Sequence, residues 1–243
     1  MPQLNVNMIA LRLTRHSDRQ SILTAYSREA GRLSIAIPAG TGRGAARIQA
    51  LTMPLSLLQG VVDARPGREI VNVKGLQLAE PLHSLHSHPV KQMTGMFLAE
   101  VLASVLRDNE GDPVVWSFIE SSVKVLDSLV DSKATANFHL WFLYRLGALM
   151  GIEPDVSTYT DGSLLDLRDG LWRRSPALHG EWLDKEESRA VWLLSRMTIG
   201  NMHLYRFSRT ERNRILDGMT DYYSAHLVSL HRLKSLDVLR MML

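Results

Sequence analysis

The chain has 243 residues, 45% hydrophobic and 22% charged, which is ordinary for a globular protein and enough for one large domain or a small one beside a medium one. It holds no cysteine, which excludes disulfides, cysteine-ligated zinc, iron–sulfur clusters and thiol nucleophiles. The net charge of +3 is unevenly spread: residues 1–78 carry 10 Lys and Arg against 4 Asp and Glu, residues 79–200 carry 11 against 17, and residues 201–243 carry 7 against 4. A basic head and tail around an acidic middle point to a polyanionic partner, with a merely solvated arginine-rich surface as the plain alternative. The first residues show no basic segment followed by an apolar run, so no signal peptide is expected. No apolar stretch reaches the ~18 residues of a membrane span, and a cytoplasmic protein without a membrane partner is the expectation.

Residues 8–47 alternate with a period of two, the signature of strands with one buried and one wet face. In Met8–Arg15 the pattern puts Ile9, Leu11 and Leu13 inward and Ala10, Arg12 and Thr14 outward. Residues 21–27 read as a second strand, Arg28–Gly31 as a turn with Gly31 free to take positive φ, and Arg32–Ile37 as a third strand with Leu33, Ile35 and Ile37 inward. Pro38 ends it, and residues 39–44 are expected to form a flexible glycine loop tipped by Arg43, with a short link through Arg47. Residues 55–65 and 68–76 are two further strands around a Pro66-Gly67 turn, with Val71 and Val73 on one face and Asn72 and Lys74 on the other. Five short antiparallel strands suit a closed OB-type barrel, with an open meander or SH3-like barrel as competitor. Arg12, Arg15, Arg19, Arg28, Arg32, Arg43 and Arg47 face only Asp18 and Glu29 in this segment. Such a one-signed surface proposes phosphate binding by Arg12, Arg15, Arg28, Arg32, Arg43, Arg47 and Lys74.

Residues 79–91, bracketed by Pro81 and Pro89, read as a boundary, with a β domain over 1–78 and a mainly helical one over 79–243. His83, His86 and His88 match no standard zinc spacing, and no metal or other cofactor is expected. Helical periodicity predicts a helix over about 91–108 and a second, opened by Asp112-Pro113, to about 131. A third, capped by Asn137 and stopped by Gly151, is apolar nearly all round, so it should be the central buried helix, with Trp141, Phe142, Leu146 and Leu149 inside. Residues 152–184 lose the period; Leu164–Arg174 reads as a small hairpin turning at Asp169-Gly170. Helices follow over 185–198 and from Ser208, whose pairing with Glu211 forms a capping box, to about 228, before a short amphipathic tail over 231–239.

The pattern carries no catalytic constellation. The glycine cluster at 40–44 is not a P-loop, and no room follows it for a crossover helix. No Gly-x-Ser-x-Gly elbow exists, His139 sits on the most apolar helix, and the Asp166/Asp169 and Glu186/Glu187 pairs read as solvated charge. Tyr26 could stack a base but is more simply a core tyrosine. Arg206, Arg209, Arg212 and Arg214 crowd the start of one helix, where its dipole does not favour cations, which makes them a secondary basic surface.

The chain resembles the RecO family of bacterial DNA repair proteins over nearly its full length. The segments that carry the resemblance are Asp18–Ser34, Met53–Leu58, Phe97–Leu102, Phe142–Asp155 and Leu233–Leu239, in that order and spacing. The resemblance implies an α+β protein: an OB-fold followed by a helical domain. It also implies a non-enzymatic recombination mediator that binds single- and double-stranded DNA, anneals complementary strands, and acts with RecR to help RecA displace the single-strand-binding protein. The competing reading is a protein-interaction adaptor with incidental DNA contact. Two features depart from the family. Many members carry a four-cysteine zinc module where residues 152–184 have no Cys, and their loop after the third strand is richer in lysine than Gly42-Arg43-Gly44.

Overall fold

The computed structural model describes residues 3–39, 42–63, 69–107, 110–176 and 178–242. They form two compact units, Met1–Ser128 and Leu129–Leu243. The first opens with β1 (Gln3–Arg15), β2 (Gln20–Ser27) and β3 (Gly31–Pro38), continues through α1 (Arg43–Leu51), β4 (Leu57–Asp63) and β5 (Ile70–Glu80), and ends with α2 (Pro89–Val105) and α3 (Pro113–Ser128). The strands close into a barrel in the order β1-β2-β3-β5-β4. Every seam is antiparallel except β3–β5, which runs parallel and closes the ring. Closure removes the exposed edges that five short strands would otherwise present.

The barrel interior is filled by Val6, Met8, Ala10, Leu23, Ala25, Ile35, Ile37, Leu58, Val62 and Val71. This corrects the facing expected for β1. Ala10 points inward, while Ile9 and Leu11, equally buried, lie on the outer side, where α2 packs against β1. The register slips between Ala10 and Arg12, and the extra residue of this bulge returns Leu13 to the inner face and Arg12 to the outer one. Val71 and Val73 share the inner face of β5, leaving Asn72 and Lys74 outside. The segment expected to be a glycine loop and link is instead α1 from Arg43 onward, whose Ile48 and Leu51 pack on the barrel core. Three alanines and that i, i+3 apolar pair support the helix, although Gly42 and Gly44 obscure its start. The expected Pro66-Gly67 turn and the Arg43 side chain lie outside the described residues.

Within the first compact unit α2 and α3 bury the barrel's outer wall. Tyr26 on β2 is 0% exposed; its ring stacks on Trp116 at 6.4 Å and its hydroxyl accepts the Asp112 N–H at 3.0 Å. Tyr26 is thus a core residue and not a surface platform. A Cβ at Gly111 would stand 2.9 Å from the Gly31 nitrogen and 3.0 Å from the Arg28 oxygen, so the α2–α3 connection needs glycine to approach the β2–β3 turn. The 81–88 segment is tied down by Asp127, whose carboxylate accepts N–H groups from His83, Ser84 and Leu85, while buried Lys91 donates to Ser84 and to the Asp127 carbonyl.

In the second unit α4 (Ser132–Leu149) is followed by a 3₁₀ turn (Val156–Thr158), the hairpin β6 (Leu164–Asp166) and β7 (Leu171–Arg173), α5 (Lys185–Arg196), α6 (Arg209–His226) and α7 (Lys234–Met242). α4 is buried over most of its length, as its apolar sequence predicts, though Leu149 is 37% exposed. Its cap is Asp131, accepting from Ala134 at 2.8 Å, and not Asn137. Asn137 is buried inside the helix, where its amide donates to the carbonyls of Met202 and Tyr205, a long-range use that local pattern does not reveal. Gly151 ends α4 at φ 77°, and the Ser208–Glu211 capping box opens α6 as expected.

Residues 152–184 fold without cysteine around Asp166. Its carboxylate is 3% exposed, accepts the N–H groups of Arg168 and Asp169 at 3.0 and 3.2 Å, and pairs with Arg173 at 3.2 Å and His179 at 3.3 Å. Burial pushes this carboxyl up, but the two N–H groups and His179 outweigh it and hold it below the usual range. Gly170 makes the predicted turn at φ 67°. Trp172 donates to the Ser188 carbonyl, and Tyr159 stacks on Trp192 at 4.4 Å while meeting Trp172 edge-on.

Candidate nucleic-acid interface

The pairing register sorts the outer face of β1, β2, β3 and β5 into rows. The first, Ile9–Tyr26–Arg32, lies under the helices. The next, Arg12–Thr24–Ser34–Ile70, is in the open at both ends, with Arg12 exposed and Ile70 37% exposed. The third is Thr14–Ile22–Ala36–Asn72, with Lys74 two residues further along the same face of β5. Adjacent strands stand ~4.8 Å apart, so Arg12 and the β5 residues are ~14 Å from one another across the sheet. The β1–β2 turn at the end of these rows displays exposed Arg15, His16 and Arg19. In OB-folds the outer β2–β3 face and the loops beside it are where oligonucleotides lie.

The structure separates the basic residues of this segment by their surroundings. Arg12, Arg19, Arg28, Arg47 and Lys74 are exposed and make no ion pair with a described residue. Arg15 pairs with Asp18 at 2.9 Å, but both side chains are largely in water (73% and 98% exposed), so a phosphate can compete for the guanidinium. Arg28 sits on the β2–β3 turn and Arg47 on α1, and neither belongs to the register rows. Arg32 is different: its guanidinium donates to the Ala103 carbonyl at 2.8 Å and is part of the seam with α2, which corrects its expected place on the wet face.

The four C-terminal arginines do not form one free surface. Arg209 donates to the carbonyls of Arg240 and Met241, Arg212 to that of Phe207, and Arg214 pairs with Glu186 at 3.5 Å. Arg206 is exposed. The crowding that looked costly beside the positive end of α6 is relieved by these carbonyl acceptors, two of them at the negative end of α7.

Elsewhere the titratable groups are engaged structurally. His139 is fully buried; desolvation, with Arg212 adding to it, pushes it down to about 3, so the ring is neutral. His86 contacts the Pro54 carbonyl at 2.9 Å. A groove of about 470 Å³ in the second unit holds Glu181, Asp217 and Asp221, each already paired, with Arg168, Arg240 and His231. Among the described residues no three His, Asp or Glu side chains converge in a way that could hold a metal ion. Nor is any helix among them long and apolar enough to cross a membrane.

The architecture is that of an OB-fold protein extended by helices, an α+β chain whose barrel carries an open basic face. Comparison with known proteins narrows this. Residues 1–82 match the family model described as Recombination protein O N terminal, and residues 86–237 match that described as Recombination protein O C terminal. The DNA repair protein RecO of Phocaeicola vulgatus is 35% identical over 232 residues, covering 96% of this chain and 95% of that one. Those of Porphyromonas gingivalis W83 and Bacteroides fragilis ATCC 25285 are 34% and 31% identical, each alignment covering at least 95% of both chains. The chain belongs to the RecO family, and its role is in DNA repair and recombination.

Proposed function

We propose that this chain is a non-enzymatic, cytoplasmic recombination mediator that binds single- and double-stranded DNA through the open barrel face, anneals complementary strands, and acts with RecR to help RecA replace the single-strand-binding protein. The observation that carries the reading is the open register rows themselves. Arg12 and Lys74 flank them, Arg15 and Arg19 stand at their end, and Asp18 is the one acid in the β1–β2 turn. Phosphate contacts position a nucleic acid without reading its sequence, which suits a protein that must act on any damaged strand.

Roughly 4–6 such contacts give a log–log salt slope near −3 to −5. The test is DNA binding across a salt series by the full chain and by an Arg12→Glu, Arg19→Glu, Lys74→Glu variant. The variant should bind more weakly with a shallower slope and melt normally. Salt-insensitive binding, or unchanged affinity in the variant, refutes the reading. A strand-annealing assay with and without the single-strand-binding protein and RecR then tests the mediator step; no acceleration in either refutes that part.

A further inference from the structure

We propose that the barrel holds a DNA strand by its sugar–phosphate chain alone and leaves the bases unstacked from protein, so that a bound strand remains free to pair. This rests on the proposed DNA-binding face and concerns how that face grips. Residues 1–82 contain one Phe, Trp or Tyr, which is Tyr26, and its ring lies wholly buried against Trp116. Base stacking needs a planar side chain in the open. The open rows instead hold Arg12, Thr14, Ile22, Ser34 and Ala36, with Thr24 buried among them, facing Asn72 and Lys74 on β5. These are short, β-branched or cationic groups, and Arg12 supplies the one plane among them. His16, on the exposed β1–β2 turn, is the one imidazole of the barrel segment.

Single-strand-binding grooves combine a charged track with aromatic platforms. Here the track is present and the barrel's only platform is committed to the interior. Affinity must then come from phosphates, be nearly indifferent to the identity or presence of a base, and leave the Watson–Crick edges in solvent. That is the state a complementary strand needs to find.

The test compares binding of the full chain to a thymidine homopolymer and to a strand of the same length built from abasic residues, by fluorescence anisotropy at one salt concentration. The expected result is dissociation constants within about threefold, and both weakened together in the Arg12→Glu, Lys74→Glu variant. Loss of a typical stacked base weakens binding about tenfold. An abasic strand bound ten or more times more weakly therefore overturns the proposal while leaving DNA binding intact. Failure of both strands to bind overturns the DNA-binding reading itself. Equal binding that the charge reversals do not touch removes the grip from the barrel and overturns the assignment.

Discussion

Replacing Asp166 by alanine should destabilise the second unit by removing the acceptor around which the 152–184 segment folds. The carboxylate is buried and accepts two backbone N–H groups, from Arg168 and Asp169, which lose their acceptor on substitution. Hydrogen bonds to an ionised acceptor contribute roughly 1.5 kcal/mol each, giving about 3 kcal/mol in all. Arg173 is 45% exposed and recovers water, so it adds little. For a chain of this size about 3 kcal/mol corresponds to a fall of roughly 6–12 °C in melting temperature. Circular dichroism melts measure it, and hydrogen exchange at the Arg168 and Asp169 amides locates it. The carboxyl is held below its ordinary 3.8, so its contribution is fully present above that pH and is lost as pH falls through the folded value. The stability gap between the native chain and Asp166→Asn should therefore be constant near pH 5 and close below about pH 4. A loss under about 1 kcal/mol with unchanged amide exchange, or a gap that widens in acid, would refute the view that this carboxylate organises the segment.

Tyr26→Phe removes the acceptor of the Asp112 N–H and should cost about 1–2 kcal/mol in denaturant unfolding while leaving DNA affinity unchanged; weakened DNA binding at full stability would return Tyr26 to the surface. Gly111→Ala drives a methyl group against two backbone atoms of the β2–β3 turn and should cost roughly 1–3 kcal/mol, read by thermal melting. Asp127→Asn keeps one acceptor oxygen for Ser84 and Leu85 but puts an amide nitrogen opposite His83, so the His83 amide should exchange fastest of the three. Equal exchange at all three would show that the segment is held by other contacts.

Five strands and the helices that follow are readable from periodicity because each buries one face, and burial imposes its period on sequence. What escapes is whatever depends on contacts distant in the chain. The bulge after Ala10 has no local mark, since Ile9 and Leu11 are apolar for a different reason, the helix against the outer wall. Arg12 and Arg32 occupy equivalent wet-face positions in their strands, and only the path of α2 sends Arg32 to a carbonyl and leaves Arg12 in water. Asn137 reads as a cap because asparagine is favoured at helix starts; its true partners lie 65 and 68 residues away. The C-terminal arginines illustrate the converse, a local anomaly settled by acceptors on another helix.

The seam of Tyr26, Gly111 and Arg32 bears on how genes of this family can be recombined in the laboratory. A hybrid that joins the first 82 residues of this chain to the remainder of a relative would set Tyr26 and Arg32 against a helical hairpin with which they were never paired and would replace Gly111 by the relative's residue, leaving the hydroxyl to find a new donor and the guanidinium a new acceptor. Crossing over after Ser128 carries both sides of the seam across together. Hybrids of the second kind should accumulate as folded protein, and those of the first should be cleared by proteases.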